Sequence, residues 1–538
     1  MKPILGGCAI LLGLGMTACT GDRQQAGEQA PVSSASSVSP ASMPRVGTVD
    51  NRYQSYNVEM LEVTGGRFWK PYKDIPKTAG QSGSEAKSGD APAGMSPDLY
   101  QYRPPIDLTN RRLRAMAEAL GPAYVRISGT WANTTYFADT DTAPKDPPKG
   151  YGGVLTRQQW LGAIDFSRAV DAPIVTSVPI GEGTRGTDGV WRPDQTRRWL
   201  AFTKAHGGMI AAAEYFNEPT LATMGGAPKG YDAAAFGRDF RIFDTFMRKE
   251  YSGTKLLAPG SVGEATGDWG VATGGYGAQA VLPAADLAAS TGDADGFSYH
   301  HYGAASQRCA TMGHQTSAEQ ALSEEWLGRT DQTLAYYRGV RDKFMAGKPF
   351  WNTETADAAC GGNPWGGTFL DTFRYLDQLG RLARQEVVVV MHNTLVASDY
   401  GLLDENTFEP KPNYWGALLW RRFMGTTVLE PGVKNGPGLH VYAQCLRGTP
   451  GGVAVLAINT DKTASHALTI PIAGQRYTLS SDRLDGTRVQ LNGKELALGA
   501  ADAIPAFEGA ATTAGTVTLA PTTITFVTLP TAGNGVCR

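Results

Sequence analysis

The sequence predicts an α/β protein in which a (β/α)8 TIM barrel is followed by an appended β-sandwich. Eight short apolar runs between residues 53 and 393 alternate with amphipathic stretches at helical spacing. Beyond about residue 425 this alternation stops, and short strand-like runs split by turn residues take over. At 538 residues the chain is also too long for one simple domain.

The eight runs are "YQSYNVEML" (53–61), "AYVRISGT" (123–130), "PIVTSVPI" (173–180), "MIAAAEYFNEP" (209–219), "KLLAPGSV" (255–262), "GFSYHHY" (296–302), "PFWNTET" (349–355) and "VVVVMHN" (387–393). Helical segments are expected between them. "TNRRLRAMAEAL" opens with Thr109 as the expected N-cap, and "TRQQWLGAIDFSRAV", "RPDQTRRWLAFTKAH", "AAAFGRDFRIFDTFMRKEY" and "AYYRGVRDKFMAG" show similar spacing. A doubly wound open sheet has the same alternation, but no G-x-G-x-x-G follows the first run. "AGQSGSEAKSGDAPAG" (79–94) is a low-complexity insertion, expected on the loop face that carries a barrel's site. Downstream, "GLHVYAQCL", "GGVAVLAIN", "HALTIPI" and "GTVTLAPTTITFVTLP" read as sandwich strands and "LNGK" as a hairpin turn.

The N-terminus reads as an export signal. "MKPILGGCAILLGLGMTAC" has one Lys, a short apolar core and small residues before Cys19. "MTAC" resembles a bacterial lipobox, which implies cleavage before Cys19 and its lipidation; ordinary secretion is the alternative. The following stretch, rich in Ser, Ala, Pro and Gln, is expected to be a disordered tether. The expected division is therefore 1–19 signal, 20–45 tether, 46–425 barrel and 426–538 sandwich. An exported chain would sit at a bacterial cell envelope, in the periplasm or outside the cell, and is expected to be a monomer.

Composition narrows the function. Hydrophobic residues make up 42% and charged residues 19%, as in an ordinary globular protein with a sizeable core. The net charge of −2, without a basic stripe, argues against a nucleic-acid partner. Outside the signal, Cys309, Cys360, Cys445 and Cys537 allow three disulfide pairings. Disulfides suit an exported protein, whereas a metal site lacks the usual close Cys/His spacing.

Two carboxylates stand out. Glu218, in "EYFNEPT", ends the fourth run, and Glu354, in "PFWNTET", ends the seventh. Strand C-termini of a barrel converge on one face, so these distant residues are expected to become neighbours. Glycosidic cleavage needs such a pair, one carboxyl protonated to assist the leaving oxygen and one ionised to attack the sugar or activate water. Asn217, beside Glu218, is suited to hydrogen-bond a sugar 2-hydroxyl. No cofactor is implied, because the carboxylates supply the chemistry.

The carboxylate pair resembles clan A of the glycoside hydrolases. A narrower resemblance covers nearly the whole mature chain: "GTVDNRYQSYNVEM", "AYVRISGTWANTTYF", "EYFNEPT", "FSYHHYG", "WNTETADAACGG", "YGLLDEN", "PNYWGALLWRRFMGTTVL" and "VQLNGKEL" are similar, in order and spacing, to glycoside hydrolase family 79, the heparanase and β-glucuronidase family. The resemblance implies Glu218 as acid/base, Glu354 as nucleophile, and Asn217, Thr130 and Glu59 as sugar contacts. The heparanase pattern has Asp at Glu59. Tyr302 matches a tyrosine kept near the nucleophile, against a plain reading as barrel-core aromatic. Gly361 and Gly362 match a glycine loop whose amides bind the glucuronate carboxylate, and Tyr400 matches a tyrosine contacting the same group. Asn393 stands where heparanases have Gln, and Cys360 where Gly is expected. Cys360 is expected to pair with Cys309, and Cys445 with Cys537 as in the family's sandwich. The strand "RVGTVD" is implied to join the sandwich.

The substrate implied is a glycan or glycosaminoglycan-like chain with β-linked glucuronic acid. No Lys/Arg run suggests a strongly sulfated one. The alternatives are another clan A enzyme, such as a β-xylosidase or arabinofuranosidase, and a catalytically inactive glycan-binding lipoprotein. His300, His301 and His392 are expected to pack rings or bind substrate rather than to act as acids or bases.

Overall fold

The computed structural model describes residues 36–75, 96–270, 281–310 and 313–538. Cys19 and the 79–94 insertion lie outside the described residues. Eight parallel strands close into a barrel: β1 (Gln54–Glu59), β2 (Val125–Ser128), β3 (Ile174–Ser177), β4 (Ile210–Glu214), β5 (Lys255–Ser261), β6 (Gly296–Tyr302), β7 (Phe350–Ala356) and β8 (Val387–His392). Each pairs with its chain neighbours, and β8 returns to β1. They match the eight predicted runs.

The period-2 alternation of strands explains the two cores. Ile174, Ala213, Leu256, Phe350 and Val390 point outward to the helices. Their neighbours Val175, Ala212, Leu257, Trp351 and Val389 form a separate cluster with Met391. That cluster plugs the barrel interior, as expected of a packed core rather than a pore.

A helix follows every strand. The eight span Arg111–Ala119, Arg157–Ala169, Asp194–Ala205, Ala233–Glu250, Ala284–Ala288, Arg329–Phe344, Phe369–Arg384 and Pro412–Phe423. The first is capped by Asn110, whose side chain accepts from the Leu113 amide, rather than by Thr109. Thr109 instead donates to Asp107 at 2.6 Å. Thr156 and Gln159 form a reciprocal capping box on the second helix. No helix among the described residues is long and apolar enough to cross a membrane.

The sandwich packs a three-stranded sheet against a nine-stranded one. Strand Val453–Asn459 lies at its centre and is buried on both faces, which explains its unbroken apolar run. Val453, Val455 and Ala457 face the sandwich core, while Ala454, Leu456 and Ile458 join the barrel's core. Strand Arg45–Thr48 pairs antiparallel with Met424–Leu429 at one edge of the large sheet. Residues 36–45, assigned above to a disordered tether, are structured. Ser36–Ser37 pairs with strand His466–Ile470, and Val38 and Met43 are buried in the sandwich. Their apolar side chains find a sheet that the local composition does not reveal. Disulfides join Cys309 to Cys360 and Cys445 to Cys537.

Helix Phe369–Arg384 is the seam between the two units, buried over nearly its whole length. Its Gly380 lets strand Leu439–Leu446 approach: a Cβ there would stand 2.4 Å from the Tyr442 ring. Gly380→Ala should therefore cost about 1–3 kcal/mol by denaturant unfolding, despite the better helix propensity of Ala. Gly339→Ala, in a helix with open space at that Cβ, should stabilise by about 0.5–1 kcal/mol.

An ion network crosses the same seam. His440 lies 2.5 Å from Asp377 and 2.8 Å from Glu324, and Arg381 bridges Asp377, Glu324 and Asp331. Burial works against the imidazolium, but Asp377 outweighs it and raises His440 to about 9; Arg381 opposes that rise. Because the folded value is the higher one, the stabilisation is fully present below the unfolded value near 6.5 and fades as pH rises through 9. His440→Gln should flatten the fall in melting temperature between pH 6.5 and 9 that the native protein is expected to show.

Candidate active site

The site lies at the C-terminal ends of the barrel strands, and a buried cation links its members. Arg126 is on β2 in the run "AYVRISGT", on the same face as Tyr124, so alternation turns it into the barrel. It is 1% exposed. Its Nη1 donates to Glu354 Oε2 at 2.7 Å, and its Nη2 donates to Glu214 Oε2 at 3.0 Å and Asn217 Oδ1 at 2.7 Å. Burial works against its charge, yet Glu214 and Glu354 hold it above its ordinary value. Glu214, at the end of β4, also accepts from Thr353 at 2.8 Å. Despite burial, Arg126 and then His300 hold its carboxyl below the usual range.

The fourth run ends as a strand at Glu214, not at residue 219 as expected. Tyr215 and Phe216 instead pack against Phe236 of the following helix. Glu218 then takes a left-handed conformation (φ 52°, ψ 61°) at the head of the short helical turn Pro219–Leu221. Such a conformation is uncommon for a residue with a Cβ. Asn133 holds the turn in place, accepting from the Asn217 amide at 2.9 Å and donating to the Asn217 carbonyl at 3.0 Å.

Glu218 and Glu354 come together as expected. An oxygen of each and a ring nitrogen of His300 all lie within 4.8 Å of one another. Glu354 lies within β7, two residues before its end. Tyr302 donates to Glu354 Oε1 at 2.6 Å, so both oxygens of Glu354 accept a hydrogen bond. His300 Nε2 faces Arg126 Nη2 at 3.3 Å. A guanidinium only donates, so Nε2 accepts; the ring proton is then on Nδ1, which donates to Glu218 Oε1 at 3.1 Å. Burial, with Glu354 second among the raising influences, lifts the Glu218 carboxyl above its ordinary value, against the lowering effect of His300. The trio has metal-ligand reach, but both Glu354 oxygens are engaged and His300 Nδ1 carries a proton, so its donor set does not suit a cation.

One pocket gathers most of the other predicted residues. Glu59, Thr130, Tyr302, Asn393 and Tyr400 line it with Glu218 and Glu354. Asn393 Nδ2 donates to the hydroxyls of Tyr302 (2.9 Å) and Tyr400 (3.1 Å), and its Oδ1 has no protein partner. Glu59 is pushed toward its protonated form by burial first and Glu354 second. Gly129 makes room for it, because a Cβ there would lie 1.6 Å from Glu59 Oε2. Asn217 is buried, with its Oδ1 taken by Arg126.

Gly361 and Gly362 have φ of 79° and 89° and follow Cys360, which lines the pocket. Behind them lies Arg308, paired with Asp399 and stacked 4.0 Å over Tyr72. A Cβ at Gly361 would meet its Nη1 at 2.4 Å. His301 binds Thr333 and His392 binds the Tyr400 carbonyl, so neither faces the carboxylate pair.

Sequence reasoning missed Arg126, Glu214, Asn133 and Arg308, and the aromatic wall of Trp69, Tyr100 and Trp131. The signal for Arg126 was present: a lone cation inside an apolar strand run is buried only when paired.

No family model matches the chain. It is 27% identical over 383 residues to heparanase-like protein 1 of Arabidopsis thaliana, covering 68% of this chain and 67% of that one. It is 26% identical over 459 residues to the heparanase of Mus musculus, covering 74% and 82%. Among solved structures, a 4-O-α-L-rhamnosyl-β-D-glucuronidase of Fusarium oxysporum 12S shares the fold, with a TM-score of 0.59 at 13% identity and coverage of 92% and 100%. With a closed barrel, an appended sandwich and heparanase-like relatives along most of its length, the chain is a homologue of heparanases and heparanase-like proteins.

Proposed function

We propose that the protein is a retaining glycoside hydrolase that releases β-linked glucuronic acid, with Glu354 as nucleophile and Glu218 as acid/base. The observation that carries this reading is the close carboxyl pair held in two different environments. The approach of their oxygens to within 4.8 Å suits the short carboxyl separation, about 5–5.5 Å, of retaining enzymes. Arg126 and Tyr302 donate to the two oxygens of Glu354 and fix its orientation. Burial favours the neutral form of Glu218, and His300 occupies Oε1, which leaves Oε2 to hold the transferable proton.

In the first step Glu354 attacks the sugar C1. The C1–O bond to the leaving group breaks, and Glu218 gives its proton to that oxygen. In the second step Glu218 takes a proton from water, whose oxygen displaces Glu354 from C1. Asn393 Oδ1 is an acceptor available to a sugar hydroxyl. The amides of Gly361 and Gly362 and the Tyr400 hydroxyl would receive the uronate carboxylate.

Assays on aryl β-glucuronides, β-xylosides and α-arabinofuranosides should show turnover of the glucuronide; turnover of a pentoside instead would select the other clan A reading. Glu354→Gln should abolish turnover, and an activated 2-fluoro-glucuronide should label the native enzyme at Glu354 in peptide mass maps. Glu218→Gln should lose about 10²–10⁴-fold on substrates with poor leaving groups and much less on activated aryl ones. Activity should fall as pH rises through the Glu218 value, which lies above the ordinary carboxyl range. Glu218→Gln should remove that basic limb. We also propose that export ends with lipid attached at Cys19, placing the enzyme at a bacterial envelope. Mass spectrometry of the mature N-terminal peptide should find a diacylglyceryl-modified Cys19, and an unmodified N-terminus would contradict the anchor.

A further inference from the structure

Three residues after Glu354 the chain leaves β7 with a further acid, Asp357, that the two reaction steps do not use. It is 0% exposed. The glycine loop curls around its carboxyl. Asp357 Oδ2 accepts from the Asn363 amide at 2.8 Å, and a Cβ at Gly366 would stand 3.1 Å from Oδ1 and 3.3 Å from Oδ2. A Cβ at Gly362 would meet Oδ1 at 3.2 Å and a Tyr400 ring carbon at 3.0 Å. Asp357 and Tyr400 therefore share one face of Gly362, in the loop that would receive the uronate carboxylate.

This carboxyl has no counter-ion. Among the described residues no salt bridge reaches Asp357, and its Oδ1 has no hydrogen-bond partner. Arg374, on the helix Phe369–Arg384, gives its protons to Asp371 at 2.5 and 3.0 Å and to Gln378 at 2.9 Å. Asp371 is held further by Asn413 at 2.6 Å, and it faces Asp357 as a like charge. Burial first and Asp371 second push the Asp357 carboxyl up to about 7, against Arg374 and the Asn363 amide.

The other charged neighbours are committed elsewhere. From β8, His392 is pushed down to about 4 by burial first and Arg374 second, so it is neutral where Asp357 titrates. After β8, Lys411 donates to the Ser398 and Asp399 carbonyls, and after β6, Arg308 pairs with Asp399. Burial raises the Tyr400 and Tyr72 hydroxyls, and the Asp357 charge adds to the rise in both. The field of this carboxylate thus reaches the tyrosine on the uronate side of the loop. A uronate bound there would place a second negative charge beyond Gly362, in a site that water screens little. Like charges so placed displace each other's proton equilibrium by about one pKa unit, a tenfold effect on affinity.

We propose that Asp357 is a specificity-determining residue of the glycine loop: the loop holds a uronate tightly only while Asp357 is protonated, so uronate binding brings a proton onto Asp357. This rests on the glucuronidase reading. No bond of the sugar changes, and the proton comes from solvent. The linkage is reciprocal, so a bound uronate raises the Asp357 value by the factor that ionised Asp357 takes from uronate affinity. Below about 7 Asp357 is protonated with or without ligand, and affinity is full. As pH rises from the free value to the higher liganded one, affinity falls; above both it is level again.

The test measures kcat and KM for 4-nitrophenyl β-glucuronide from about pH 6 to 9 in the native protein, Asp357→Asn and Asp357→Ser. The serine variant is smaller and still offers Asn363 an acceptor, should the first not fold. Calorimetry of D-glucuronate binding in two buffers of different ionisation enthalpy reads proton uptake in the native protein directly. The native KM should rise by about tenfold across the range, with proton uptake above pH 7. In the variants KM should stay level and the uptake should shrink, while the fall in kcat that Glu218 causes remains. A level native KM, a rise that persists in the variants, or glucuronate binding without proton uptake would overturn the role of Asp357 and leave the glucuronidase intact. Failure of the native protein to bind or turn over any glucuronide would instead overturn the glucuronidase reading itself.

Discussion

One buried guanidinium organises the catalytic end of the barrel. Arg126 comes from β2, yet its hydrogen bonds reach residues of β4, β7 and the loop after β4, and its fourth neighbour, His300, is on β6. A cation in that position is costly unless paired, and removing one member of such a set commonly costs about 3–5 kcal/mol. Glu214 neutralises it permanently, because Glu214 is enclosed and also held by Thr353. The remaining donors are then directed at Glu354 and, through His300, at Glu218. The two carboxyls thus differ in environment because one cation reaches one directly and the other only across an imidazole.

The turn after β4 converts that arrangement into a fixed geometry. A residue in the left-handed region reverses the chain at Glu218, and Asn133 and Thr220 pin its two ends by hydrogen bonds. The same turn carries Leu221 and Met224. On the opposite side, Arg308 gathers the loops after β1, β6, β7 and β8: it stacks on Tyr72, sits beside Gly361 and pairs with Asp399, while the Cys309–Cys360 disulfide ties the same loops covalently.

The sandwich shares its core with the barrel. Helix Phe369–Arg384 is enclosed on all sides, and the strands that face it contribute alternate residues to each core. The charged groups at that boundary pair with one another in the Asp377, His440, Arg381 and Glu324 network, which accounts for Asp377 and Arg381 on a helix with almost no exposed surface.

By itself, the sequence determined the eight barrel strands, the change to an all-β region and the two catalytic candidates, because each depends on local periodicity or on a short polar motif ending an apolar run. Glu59, Thr130, Tyr302, Asn393 and Tyr400 could be named from motifs, and all five reach the pocket. The structured segment 36–45 and the early end of β4 were not legible, since both depend on partners far along the chain. Nor were the roles of Arg126 and Glu214. Each reads locally as a charge in an apolar run, and only barrel closure, which brings β2, β4, β6 and β7 around one axis, makes that charge the element that contacts Glu354 directly and Glu218 through His300.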